Sequence, residues 1–145
     1  MRSQLGLICS FAVLALTACT TIAPFDLAAY EKVTSAKAAA LALISESTED
    51  YGSHVSEVKA VSLIISQAYE YDKGRPKNQV TTAMWDKLLS NDGGLWGTFL
   101  VRWKEKGSFK PDAVALRKTQ VGKGFDLISA LEIGKNPSPG NSPPP

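Results

Sequence analysis

The chain has 145 residues, 44% hydrophobic and 21% charged, a balance that excludes a wholly disordered protein and allows one small domain with extensions at its ends. Its formal net charge of +2 leaves no global field to draw it onto nucleic acid, so no nucleic-acid partner is expected. Only two cysteines are present, Cys9 and Cys19, both near the amino terminus, which excludes a disulfide framework.

The first element in chain order is residues 1–18. Met1-Arg2-Ser3-Gln4 precedes an apolar run from Leu5 to Leu16, and Thr17-Ala18 closes the segment with small residues. The run is well short of the roughly 20 residues that a helix needs to cross a ~30 Å hydrocarbon core. A charged start, short apolar centre and small-residue end predict a secretory signal peptide instead.

Leu16-Thr17-Ala18-Cys19, standing at the end of that segment, resembles the lipobox of bacterial lipoproteins. The resemblance covers the signal and the lipobox and assigns no family to residues 20–145. It implies cleavage before Cys19, a diacylglycerol on its thiol, and acylation of the new amino group. The alternative is an ordinary cleaved signal with a cysteine at its boundary. One acyl chain holds a protein only marginally, whereas two or three hold it durably. Thr20 stands where an Asp would direct retention in the inner membrane, so the resemblance implies the outer membrane, with the protein facing the periplasm. Covalent lipid on Cys19 is the only added group expected, with no other cofactor and no metal.

Residues 19–25 form the expected lipidated tether. Six peptide steps separate Cys19 from Phe25, an extended reach of about 20 Å, which keeps the domain close to the bilayer. From 26 to 133 the periodicity predicts helices throughout. Asp26 caps a first helix whose apolar arc is Leu27, Tyr30, Val33, Leu41 and Ile44, with many alanines adding helix propensity, ending near Ser45 to Asp50. Lys37 falls inside that arc, where its stem can cross apolar surface while the amine stays in water.

After Tyr51-Gly52-Ser53 a second helix carries Val55, Val58, Val61, Ile65 and Tyr69, with Leu63 and Ile64 on other faces. Apolar residues on several sides predict that this helix is the central element. Lys73-Gly74-Arg75-Pro76 ends it. Thr81 or Thr82 is the expected cap of a short third helix with Met84, Trp85, Leu88 and Leu89. A fourth carries Leu95, Trp96, Phe99, Leu100 and Trp103 and stops at Gly107. The last starts at Lys110-Pro111-Asp112 and presents Val114, Val121, Phe125 and Ile128, supported by Leu127 and Leu131. Gly122 and Gly124 interrupt it, and a tryptophan ring lying over them is the expected reason. No strand alternation occurs. The fold expected is all-α: a small antiparallel bundle of about five helices, two long, two short and one C-terminal. Residues 134–145 hold five of the eight prolines and are expected to be a disordered, Pro-rich tail.

Residue types able to carry chemistry are sparse. His54 is the only histidine, which removes zinc sites built on several His and leaves a triad only if His54 is the base. Glu46, Glu49 and Asp50 form a small acidic cluster of the kind that pairs carboxylates for acid–base work or holds a hard cation, the alternative being ordinary helix-end charges. Ser90-Asn91-Asp92-Gly93-Gly94 lacks the alternating ligands and terminal Glu of a calcium loop and reads as a plain turn. Trp85, Trp96, Phe99 and Trp103, at helical spacing, read as core.

Two groups of cations, Lys73, Arg75 and Lys77, then Arg102, Lys104, Lys106 and Lys110, form a basic patch if they converge. Such a patch suits anionic headgroups or an acidic partner; the alternative is a solvated face partly neutralised by Glu105. No constellation specifies an enzyme. The function expected is a lipid-anchored binding or assembly module of the cell envelope, meeting the membrane and an envelope protein. The alternative is a small lipoprotein inhibitor or a phage-exclusion factor.

Overall fold

A computed structural model describes residues 22–135. Cys19, the signal segment and the Pro-rich tail from 136 onward lie outside the described residues. Within them the chain is all-α, with five α-helices and no strand. These are α1 (Leu27–Ser45), α2 (Val55–Lys73), α3 (Gln79–Leu89), α4 (Trp96–Lys106) and α5 (Pro111–Gly134), with 3₁₀ turns at Glu46–Thr48 and Tyr51–His54 between the first two.

Asp26 caps α1 as its residue type predicts: its backbone is extended and its side chain accepts from the Ala29 N–H at 3.1 Å. Three cross-links show α1 and α5 running antiparallel. Asp26 N–H donates to Glu132, Lys37 pairs with Asp126, and Lys118 Nζ donates to Ser45 Oγ at 2.8 Å. At one end, Tyr71 Oη at the close of α2 donates to Asp26 at 2.9 Å. At the other, Tyr51 N–H donates to Gly107 O and Phe109 N–H to Ser47 O, binding the α4–α5 connection to the α1–α2 connection.

The central helix is α1, not α2. α1 makes the two most extensive helix interfaces, with α5 and with α2. Its buried stripe is Ala29, Val33, Ala36, Ala40, Leu43 and Ile44, while Leu27 is exposed. The small alanine side chains let both neighbours approach closely, an effect that hydrophobicity alone does not reveal. On α2 only Val58, Ile65, Ala68 and Asp72 are buried, and Leu63 and Ile64 face water.

The aromatic residues fill the core as their spacing predicts. Trp85, Phe99 and Trp103 are fully buried, and Trp96 and Phe99 and then Phe99 and Trp103 follow each other at ring distances of 5.6 Å. Trp85 meets Phe125 edge-on at 5.7 Å. No tryptophan covers the glycines of α5, however. Gly122 faces Leu41 and the stem of Lys37, and Gly124 faces the methyls of Leu88 and Leu95. α3 also begins three residues earlier than a Thr81 cap requires; Thr81 is buried inside it, and Thr82 Oγ1 donates back to Asn78 O at 3.1 Å.

Both edges of the folded unit lie beyond 26–133. Ala23 is buried and its N–H donates to Lys77 O at 2.9 Å, while Pro24 O accepts from Arg75. Lys135 is buried at the close of α5. Ala23 and Lys135 are therefore packed into the folded unit.

Candidate functional site

The two cation groups do not converge. Arg75 and Lys77 follow the carboxyl end of α2, whereas Gly107, at the end of α4, is hydrogen-bonded to Tyr51 just before α2 begins. The 19 residues of α2 put the groups about 28 Å apart along its axis. Arg102, Lys104, Lys106 and Lys110, the basic rim, are all exposed at that far end, as is Glu105 among them in sequence. Lys73 is exposed beside Glu70 and lies 5.2 Å from the centre of the Tyr69 ring. Lys77 is exposed, with a left-handed backbone (φ 60°) that is uncommon for a side-chain-bearing residue.

Arg75 belongs to something else. It turns inward to a buried polar network where α2, α3, α5 and the residues before α1 meet. Its Nη1 reaches Asp72 at 3.3 Å and Glu132 at 3.0 Å. Asp72, 1% exposed, also accepts from Trp85 Nε1 at 2.7 Å and from Asn78 Nδ2 at 3.2 Å. Glu132, equally buried, takes the Asp26 N–H on Oε1 at 2.8 Å and Lys135 on Oε2. Lys135 Nζ completes its three donors on Asn78 Oδ1 at 2.6 Å and Thr81 Oγ1 at 3.0 Å.

Two buried carboxylates thus face two cations, with every polar partner in use. Burial works against the charge on Arg75, but Glu132, Asp72 and Asp26 outweigh it and hold the guanidinium above its ordinary value. Burial likewise raises Asp26, and the Ala29 N–H, the Tyr71 hydroxyl and Arg75 together pull it below the usual carboxylate range. Tyr71 is raised by its bond to Asp26. A network so fully satisfied leaves neither carboxylate open to a substrate; chemically it is a clamp that fixes the chain at Ala23 and Pro24 to the ends of α2 and α5.

Reading by residue type singled out Arg75 and missed Asp72, Asn78, Thr81, Glu132 and Lys135. A signal was present: Asp72 continues the Val58, Ile65, Ala68 stripe, and Glu132 lies one turn beyond Ile128, so each is an acid on a core-facing row.

An open cleft of about 670 Å³ lies between α3, the turn after it and α5. Met84, Leu88, Leu95 and Leu127 line it over Gly124, and Asp86, Lys87 and Asp92 lie at its polar edge. The Ser90–Gly94 segment forms this wall as a turn, with Ser90 Oγ bonded to Asp92. The cleft suits an aliphatic or aromatic side chain. His54 contacts Glu49 at 3.1 Å and lies 5.7 Å from the Trp103 ring, while Asp50 caps Gly52 N–H at 2.8 Å. Among the described residues no group of three or more His, Cys, Asp or Glu is placed to hold a metal ion, and no helix is long and apolar enough to cross a membrane.

No family model, curated protein or solved structure matches the chain.

Proposed function

We propose that this chain is a non-enzymatic binding or assembly module of the bacterial cell envelope, held on the periplasmic side of the outer membrane by lipid on Cys19. The observation that carries this reading is Leu16-Thr17-Ala18-Cys19 at the end of a signal-like segment, followed within four residues by buried Ala23. Four residues reach at most about 14 Å, so a lipid at Cys19 would hold the bundle itself, not a long flexible stalk, at the membrane. The basic rim of Arg102, Lys104, Lys106 and Lys110 and the Leu88–Leu95–Leu127 cleft supply surfaces for an envelope protein. The exposed rim equally favours the second reading, an inhibitor or phage-exclusion factor that covers an acidic site on its target.

Cys19→Ser tests the anchor. In cells supplied with radiolabelled fatty acid, the variant should lose the label, keep its signal segment and run larger than the wild type. A variant of unchanged size that still carries label would overturn the reading.

A further inference from the structure

We propose that the end of the bundle built from residues 22–24, the start of α3 and the end of α5 rests directly on the bilayer that receives the Cys19 lipid. This rests on the anchor reading above and adds an orientation to it. Ile22 is three residues from Cys19, so an acylated cysteine at the membrane surface keeps Ile22 within about 10 Å of it. Ala23 and Pro24 are fixed to Lys77 and Arg75, and the clamp behind them ties that short tether to α2, α3 and α5. The domain has little freedom to turn another face downward.

The surface at this end suits an interfacial position. Ile22, Val80 and Ile133 are 43%, 58% and 40% exposed. Ile22, Val80 and Leu131 share one shallow recess with Lys77 and Lys135. Exposed Lys77 lines the same recess, and its long stem can lie along lipid beside Ile22 and Val80. Apolar residues are exposed at the far end too, at Val55, Val101 and Leu116, so exposure alone does not choose between the ends. The tether does. With this end down, the Arg102–Lys110 rim points away from the membrane, where a protein partner can reach it.

The test uses the full chain, exported and purified with its lipid, with an environment-sensitive fluorophore on a cysteine introduced at position 80, 63 or 104. Each protein is inserted into vesicles of phosphatidylethanolamine with a minority of phosphatidylglycerol, some carrying a quencher on the upper acyl chain. Val80→Cys should be quenched about threefold more strongly than Leu63→Cys or Lys104→Cys, because an interfacial side chain sits within ~5–10 Å of the acyl boundary. Equal quenching at 80 and 104, in protein whose intact mass includes the lipid, overturns the orientation and leaves the anchor standing. A mass without lipid removes the anchor and the orientation with it. All three positions are exposed, and a thermal melt of each variant matching the wild type establishes that the labels report on the folded bundle.

Discussion

Glu132 holds three partners from three parts of the chain: Asp26 N–H, Arg75 and Lys135. Breaking a buried ion pair from one side leaves an uncompensated charge, which typically costs about 3–5 kcal/mol. Glu132→Ala should therefore lower stability by that order in a urea titration, and a loss under about 1 kcal/mol would contradict the clamp. Trp85→Phe keeps most of the ring but removes the donor to Asp72. Its expected cost is about 1–3 kcal/mol, measured the same way.

Asp26 gives the clamp a pH signature. Its carboxyl is held below the ordinary 3.8, so its contribution is present above that value and is lost as pH falls through the lower, folded-state value. Asp26→Asn retains a good helix cap while losing the charge opposite Arg75. The variant should be less stable than wild type at pH 7 and should converge with it as pH falls below 3.8; an identical deficit at both ends of the range would show that the charge is irrelevant. These residues were only partly legible in the sequence. Asp26 announced itself as a cap by position, and the acids at 72 and 132 lay on apolar rows. Nothing local, though, says that two such acids 60 residues apart share Arg75.

At the scale of the helices, glycine separates close packing from mere interruption. A Cβ on Gly97 would stand well inside contact distance of the Leu89 and Ser90 carbonyl oxygens, which are backbone and have nowhere to go. Gly97→Ala should thus cost more than about 3 kcal/mol or prevent folding, despite alanine's better helix propensity. In α5 the outcome reverses. A Cβ on Gly122 meets Leu41 at 3.6 Å, ordinary contact, so Gly122→Ala should stabilise by up to about 1 kcal/mol. At Gly124 the same atom would approach the ends of the Leu88 and Leu95 side chains at 2.8 Å, and the gain should be largely cancelled. A thermal melt in which Gly97→Ala is as stable as Gly122→Ala would contradict this packing.

Helix existence and most helix ends could be read from periodicity, the Asp26 cap, Pro111 and Gly107, because these signals act within a few residues. Which helix is central could not. α2 displays Leu63 and Ile64, which face water, while α1 hides its role in Ala29, Ala36 and Ala40, residues that matter for their small size. The glycines of α5 were visible as interruptions, but leucines, not a tryptophan, lie against them, and that choice depends on tertiary register.

For the whole molecule, the cations are separated into two ends about 28 Å apart. Sequence proximity placed Lys73, Arg75 and Lys77 in one group and Arg102, Lys104, Lys106 and Lys110 in another; only the antiparallel course of the helices sends the groups apart. One end then carries the clamp that holds Ala23 and Pro24, and the other exposes Arg102, Lys104, Lys106 and Lys110, where the proposed partner surface lies. A photoreactive residue at 104 should form a discrete crosslinked species in intact cells, and the same residue at 63, midway along α2, should not. Matching crosslinks from both positions, or none from 104, would contradict a partner surface on the rim.

The claim on which address, orientation and partner surface all depend is that the mature chain begins at Cys19 and carries fat there. Intact-mass spectrometry of the protein extracted from the producing bacterium measures this directly. The expected species is a chain running from Cys19, heavier than its amino-acid sequence by a diacylglycerol and an amide-linked acyl group. A mass equal to the bare sequence from residue 1, or from any cleavage point with an unmodified Cys19, would contradict it.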